Sequence, residues 1–285
     1  MEESDKILYH YTSLEGLLGI IGSKSIWATN ILYLNDASEL DYAIRLFREQ
    51  VINFQKKIGN AAYLVEWFFK TLIEYIDNSI SSDNYAFFVC SFSEQDDLLS
   101  QWRGYCPKGI GLSLGYKLND LQKSVKEYAS LIRRCIYNEE EQVNEINKLI
   151  EKTYCKFTTE MNQNHKNIYR IILNKSSLDF YTEFMRLAPN FKHPKFIGEE
   201  EWRIVTRVDT RDKIEMIKFR SGQSMVVPYI EIPLPKEGEN LIINKIVVGP
   251  THDPELSKAS VEMLLKSKNV KFDEVQYSTI PYRNW

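Results

Sequence analysis

Glu199, Glu200 and Glu201 stand together ahead of Trp202 and Arg203. In an extended chain alternate side chains point to opposite faces, so Glu199 and Glu201 share a face with Arg203 while Glu200 takes the other. Two carboxylates on one face repel. The pair therefore needs a raised pKa or a cationic partner, and Arg203 is placed to be that partner. Such a pair suits proton transfer or the stabilisation of a developing positive charge. A solvated acidic loop in front of a buried Trp202 fits the same spacing equally well.

Other polar residues sit where apolar ones are expected. His10 lies within Ile7-Leu8-Tyr9-His10-Tyr11, a short strand whose neighbours favour burial, as a hydrogen-bonded core residue or as a catalyst. Ser91 and Ser93 share one face of the apolar run Tyr85 to Ser93, where serines more often bond to backbone. Asn35 and Asp36 fall at a strand-to-helix turn, and Asp36 with Glu39 makes a capping-box pattern. Metal-ligand spacing is absent: His10, His165, His193 and His252 are scattered, without a Cys partner. No G-x-S-x-G elbow and no Gly-rich phosphate loop occurs.

The elements that must position these residues can be read from periodicity. Ser13 is expected to cap a helix from Leu14 to Ile21, followed by a strand at Ser25 to Ala28. Leu40, Ile44, Phe47, Val51 and Phe54 mark one helical face, and residues 61 to 77 a second, aromatic-rich helix. Tyr85 to Ser93 reads as a central strand. A short turn with Leu98, Leu99 and Trp102 follows, and then a strand through Ile110, Leu112, Leu114 and Tyr116 with one buried face. Residues 117–190 read as a helical insertion between core strands. Strands are expected again at Trp202 to Val208, Ser224 to Ile232, Leu241 to Val248 and Val270 to Tyr277, with a helix capped by Asp253 and opened by Pro254. Regular βαβ alternation is missing, so an α+β fold is expected, with residues 1–285 as a single domain.

Composition sets the bounds. The chain has 285 residues, 44% hydrophobic, enough for one large core with a helical insert. Its formal charge of −3 lacks the basic excess of a protein that neutralises many phosphates. Cys90, Cys106, Cys135 and Cys155 form no C-x-x-C pair, so four free buried thiols in a reducing cytoplasm are expected. The N-terminus is polar and acidic rather than a signal sequence, and no apolar run is long enough to cross a bilayer, so no membrane is expected among the partners.

Several segments together resemble a bacterial family, domain of unknown function 2971. They are Leu8-Tyr9-His10-Tyr11-Thr12-Ser13, Leu34-Asn35-Asp36 with Glu39, and Cys90-Ser91-Phe92-Ser93 with Asp97 and Trp102. Phe196-x-x-Glu199-x-Glu201-Trp202-Arg203, Val227-Pro228-Tyr229-Ile230, Val248-Gly249-Pro250 and Ser278-x-x-Pro281-Tyr282-Arg283 complete the set. The first-strand His, the Ser-x-Ser strand and the later Glu-x-Glu also resemble the core of ADP-ribosyltransferases, in which NAD lies in a cleft between two small split sheets. The Ser93-to-Glu199 interval is long for that superfamily and requires the helical block to be an insertion.

The resemblance implies roles. His10 would bond the ribose hydroxyls of NAD, with Tyr11, Thr12, Asn35 and Arg203 around the ligand. Ser91 and Ser93 would order the sheet edge and the ribose. Glu201 or Glu199 would stabilise the ribose cation as nicotinamide leaves, and the other glutamate would orient or deprotonate the acceptor. Trp27 or Tyr33 would stack on nicotinamide. The expected activity is an NAD-dependent ADP-ribosyltransferase acting on a macromolecular acceptor, as a bacterial toxin or antiphage effector. NAD glycohydrolysis, a non-catalytic ligand- or nucleic-acid-sensing module, and a Mg²⁺ nuclease on Glu199, Glu201 and Asp36 are the alternatives.

Overall fold

In the computed structural model of the chain, the structure describes residues 6–34, 37–58, 63–80, 84–106, 111–126, 130–164, 168–222 and 224–281. Asn35, Asp36, His165, Tyr282 and Arg283 lie outside the described residues.

The chain opens with β1 (Ile7–Thr12), α1 (Leu14–Ser23) and β2 (Ser25–Asn30). Ser13 caps α1 by accepting from the Gly16 N–H at 3.0 Å. The short turn Ile31–Tyr33 leads to α2 (Ala37–Ile58) and α3 (Tyr63–Ile80), then to β3 (Tyr85–Ser93). Next come α4 (Leu99–Tyr105), β4 (Leu112–Lys117), α5 (Leu118–Lys126) and β5 (Leu131–Arg134). Two long helices, α6 (Glu139–Gln163) and α7 (Tyr169–Leu187), precede β6 (Glu201–Asp209). The rest is α8 (Thr210–Lys213), β7 (Lys218–Ser221), β8 (Val226–Pro233), β9 (Lys236–Glu237), β10 (Asn240–Leu241), β11 (Lys245–Val248), α9 (Pro254–Ser267) and β12 (Glu274–Tyr277).

The fold is α+β around a mixed sheet in the order β12-β11-β4-β1-β3-β2-β8-β7, with β6 and β5 branching from β3. Among the described residues, β11 and β12 alone of its strand pairs run parallel. Three expectations change here. The block 117–190 is not wholly helical, because β5 pairs with β6 from Leu131↔Val205 to Arg134↔Trp202. Four residues are too short to show a period of two against the helical pattern on either side. β4 is buried on both faces rather than one, since Ser113 is as inaccessible as Leu112 and Leu114. The strand expected at Leu241 to Val248 is broken into β10 and β11.

β3 is the hinge of the architecture. Its full length pairs with β6, from Tyr85↔Asp209 to Ser93↔Glu201. Its other edge is divided: β2 takes Phe88 and Val89, while β1 meets it at Tyr9↔Ser93. Between these two contacts the sheet splits.

Alternation along β3 separates two cores. Phe88, Cys90 and Phe92 face a core built from both halves of the sheet with α1, α5 and α9. Phe87 and Val89 face the other way, into a core built from α2, α3, α6 and α7. A smaller cluster of Tyr9, Tyr11, Trp102, Cys106 and Val247 closes one end. Asp97 ties that cluster to the C-terminal segment by accepting from Trp102 Nε1 at 2.8 Å, Ser278 Oγ at 2.6 Å and the Thr279 N–H at 3.0 Å. Gly249 fits there because a methyl group would lie only 3.1 Å from the Trp102 ring. Cys90, Cys106 and Cys135 are buried free thiols, but Cys155 is exposed on α6, against the expectation for all four.

Candidate functional site

The split on β3 opens into a cavity of about 460 Å³, in the size range of small-molecule sites. β1 supplies Tyr9, His10, Tyr11 and Thr12 to one wall, and β2 supplies Trp27 and Thr29 to the other. Cys90 and Ser91 form the floor, while Tyr33, Tyr105, Arg203 and Arg220 surround them. Gly16 keeps the first turn of α1 close to this wall, since a methyl there would sit 2.0 Å from Thr12 Oγ1.

Strand pairing leaves the Ser91 carbonyl without a partner on the split edge, and a buried carbonyl needs one. His10 provides it: Nδ1–H donates to Ser91 O at 2.9 Å. That bond fixes the proton on Nδ1 and leaves Nε2 as the acceptor of the neutral ring. Burial lowers the His10 pKa, opposed by the bond to Ser91, so the ring is neutral at pH 7. The imidazole also lies against the Phe92 ring at 5.7 Å. Sequence offered His10 as a core residue or a catalyst; its Nδ1 is anchored on Ser91 and the residue lines the cavity.

Aromatic residues gather at the mouth. Trp27, Tyr33 and Tyr105 line the cavity and are each about two-fifths exposed, at 38%, 41% and 42%. Trp27 is backed by Tyr229 with ring centroids 4.5 Å apart, so its position is held by packing rather than by a ligand. Arg220 lines the cavity and donates to Thr29 Oγ1 at 3.2 Å.

The acidic run is organised differently from its sequence expectation. It is not extended: Pro194–Glu199 forms a 3₁₀ turn and Glu200 is left-handed, with φ of 44°. Glu199 and Glu201 still converge, because both reach the ammonium of Lys192. Glu199 Oε2 accepts from Lys192 Nζ at 2.6 Å, and Glu201 Oε2 accepts from the same nitrogen. Glu201 also holds Arg203, with Oε1 accepting from Nε at 2.7 Å and Oε2 from Nη2 at 3.0 Å. Glu39 of α2 joins the cluster, accepting from Arg203 Nη2 at 2.7 Å. Glu200 points away to Gln95, turned there by its left-handed backbone rather than by strand alternation.

This cluster is nearly dry. Glu201, Arg203 and Lys192 are 2%, 4% and 1% exposed. Burial alone would raise the Glu201 pKa, but Arg203 and Lys192 bring it down to about 2. Lys192 is raised above the usual lysine range because Glu201 and Glu39 outweigh its burial. Burial raises the Glu39 pKa despite Arg203 and Lys192. Of the two outcomes open to paired carboxylates, Glu201 takes the cationic partner, and takes two of them.

The backbone holds the cluster in place. The Glu201 N–H donates to Tyr137 OH at 2.9 Å, and Arg203 Nη1 donates to Pro189 O at 2.5 Å. Gln142 of α6 anchors the Lys192 segment, its Nε2 donating to Lys192 O at 3.0 Å and Ile136 O at 2.6 Å.

Of the residues singled out in sequence, His10, Tyr11, Thr12, Trp27, Tyr33, Ser91 and Arg203 line the cavity together. Glu199, Glu201 and Ser93 do not line it. Ser93 closes the end of the β3–β6 pair, donating from Oγ to Glu199 O at 2.7 Å and accepting from the Gln95 N–H. Arg203 is the one residue shared by cavity and cluster. Lys192, Arg220 and Tyr105 went unnoticed in sequence. A lysine seven residues before Glu199 carries no pattern of its own, and only burial distinguishes it. Among the described residues no group of three or more His, Cys, Asp or Glu side chains is placed to hold a metal ion, and no helix is long and apolar enough to cross a membrane.

No curated protein and no solved structure matches the chain. A family described as protein of unknown function (DUF2971) matches residues 101–204, which include Glu199, Glu201 and Arg203 and stop short of His10 and Ser91.

Proposed function

We propose that the split-sheet cavity binds NAD and that the protein transfers ADP-ribose from it to a macromolecular acceptor, within an ADP-ribosyltransferase-like fold. The observation that carries this reading is the gathering of His10, Ser91, Trp27 and Arg203 around one cavity at the point where two half-sheets part. A planar ring is accommodated by Trp27, Tyr33 and Tyr105, since stacking on an aromatic face needs no polar partner. Ribose hydroxyls suit the free Nε2 of neutral His10. Arg220 is a cation for the phosphates.

Charge supports the same reading. Glu39, Glu199 and Glu201 against Lys192 and Arg203 give a formal excess of one negative charge in a low-dielectric region behind the cavity. A fixed negative field favours the positive charge that develops on the ribose as nicotinamide departs, and removing one such group commonly costs ~10²–10³ in rate. Glu201 acts here through Arg203 as a positioning residue, and the reading predicts that Glu201→Gln slows nicotinamide release by that factor.

A second reading, a non-catalytic ligand-binding module, is favoured by the same carboxylate, whose hydrogen-bonding capacity is already taken by Arg203 and Lys192. The test is to mix the protein with NAD, with and without cell lysate, and to measure free nicotinamide and NAD binding together. Nicotinamide release that needs lysate, with label appearing on a lysate component, supports transfer. Release without lysate assigns hydrolysis. Binding without release assigns the non-catalytic module, and absence of binding ends the NAD reading. Glu201→Gln is compared with wild type by circular dichroism so that loss of fold is not mistaken for loss of chemistry.

A further inference from the structure

We propose that Gln101 is the specificity-determining residue of the split-sheet cavity, pairing head to tail with a primary carboxamide on an aromatic ring of the ligand. With NAD as the ligand, on which the assignment of that ring rests, the group is the carboxamide of the departing nicotinamide.

Two buried glutamines differ in how they are used. Gln142 and Gln101 are 0% and 6% exposed. Gln142 is fully engaged: Nε2 donates to Ile136 O and Lys192 O, and Oε1 accepts from Tyr42 OH at 2.8 Å. The Gln101 side chain lines the cavity and makes no hydrogen bond among the described residues. Its amide is not sealed off, unlike the unpaired hydroxyls of Ser113 and Tyr116, which have no accessible surface. A buried amide left unpaired is costly, and one that can still be reached recovers that cost from whatever pairs with it in the cavity.

α4 holds the amide in position. Gln101 and Tyr105 are four residues apart, so they share a helical face, and both line the cavity. The helix is fixed to β1 by the Tyr11 ring against Trp102, with centroids 4.6 Å apart, and by the Leu98 N–H donating to Tyr11 OH at 3.0 Å. A donor and an acceptor carried on a rigid support lose little freedom on pairing.

The side-chain amide presents N–H beside C=O, and its complement carries the same two functions reversed. A primary carboxamide meets both at once, whereas a carboxylate sets oxygen against Gln101 Oε1. The N6/N7 edge of adenine also offers one donor and one acceptor, and position separates the two. Arg220, the cation for the phosphates, enters from the β2 side, where it donates to Thr29. Gln101 and Tyr105 enter from the β1 side. Partial burial raises the Tyr105 pKa and the charge of Glu201 adds to the rise, so this side lies beside the charge cluster. With phosphates at Arg220 and the ribose cation by the cluster, the group beyond the scissile bond falls at Gln101.

The full chain is titrated calorimetrically with NAD, its deamidated analogue carrying nicotinic acid, ADP-ribose and benzamide. Wild type is compared with Gln101→Met, which keeps the length of the side chain without its amide. Wild type is expected to bind NAD and benzamide, and to bind the deamidated analogue roughly tenfold more weakly. Gln101→Met is expected to weaken NAD and benzamide by a similar factor, to narrow that preference and to leave ADP-ribose unchanged. Its ligand-free Tm is expected to stay or rise, whereas a packing role for the amide lowers it. Benzamide binding that depends on Gln101 while NAD fails to bind keeps the carboxamide site and ends the NAD reading. NAD affinity unchanged in Gln101→Met overturns the role of Gln101 and keeps the NAD reading. Equal wild-type affinity for NAD and its deamidated analogue also overturns it, as does absence of binding by NAD and benzamide alike. A loss of ADP-ribose affinity in the variant assigns Gln101 to adenine and overturns the carboxamide site.

Discussion

The cavity and the charge cluster behind it are built from neighbouring stretches of β3 and β6, yet they solve opposite problems. The cavity leaves groups incomplete: His10 keeps a free nitrogen, and Trp27, Tyr33 and Tyr105 keep exposed ring surface. The cluster completes nearly everything, placing five charged side chains where each meets an opposite charge. Arg203 spans the two. A binding surface needs unsatisfied chemistry, and unsatisfied chemistry holds its shape only when something rigid stands behind it.

The contrast is broken most severely from the cluster side. Glu201→Ala leaves Arg203 and Lys192 buried without their shared carboxylate, and removing one partner of a buried pair costs about 3–5 kcal/mol. A urea unfolding midpoint measures this. Lys192→Met and Glu201→Ala break the same Lys192–Glu201 contact, so the double variant is expected to lose less than the sum of the two singles. If the double variant is as unstable as the sum of the singles, the cluster is not a coupled unit.

Acid tests the same difference with no mutation. The Glu201 pKa is depressed to about 2 in the folded chain, so its stabilisation is complete above the ordinary value of 4.5 and is lost as pH falls from there towards 2. The loss is about 3 kcal/mol, from the linkage of a shift of this size. Glu39 works in the opposite sense: its raised pKa makes the folded state gain protons first, so acidification above pH 4.5 is stabilising through that residue. His10, whose pKa is lowered, contributes a loss as pH falls below 6.5. Urea midpoints from pH 7 to pH 2.5 are expected to fall below pH 6.5 through His10, opposed by Glu39, and to fall more steeply below about pH 4.5 through Glu201. In Glu201→Gln the steep part becomes shallower, what remains coming from carboxylates such as Glu94 whose pKa is also lowered.

The smallest effect on stability comes from the cavity. Trp27→Ala removes a partly exposed ring, and the unfolding midpoint is expected to move far less than with Glu201→Ala. Ligand affinity falls instead, by about 1–3 kcal/mol if a base stacks there. Trp27 fluorescence during an NAD titration and calorimetry on the variant measure it. A large stability loss with unchanged affinity would make Trp27 a packing residue.

How far sequence reached follows the same division. β3 could be read to its last residue because a continuous apolar run bounded by polar residues leaves few alternatives. α9 was equally plain, with Asp253 accepting from the Leu256 N–H and Pro254 in the first turn. β7 and β5 were not seen: each is four residues long, and β7 is exposed throughout, so neither carries an alternation. Of the cavity-lining residues, His10 and Ser91 stand out in sequence as polar residues within apolar runs and Trp27 through the resemblance, but the convergence of Glu199 and Glu201 was reached by a wrong route. The segment is turned rather than extended, and convergence comes from Lys192, which no local pattern marks. Burial of a lysine is a property of the whole fold, not of its neighbours in sequence.

The branch at β3 also bears on the order in which the molecule can be assembled. β3 pairs along all nine residues with a strand more than one hundred positions further on, with α6 and α7 between them. A chain emerging N-terminus first carries β1 through β4 with that edge of β3 open until β6 has been made. Open, apolar edges recruit other strands, and closure of so long a loop is slow. The two long helices fill that interval, so the cavity floor gains its β6 backing only after both have been made, and before β8, β11 and β12 join the sheet.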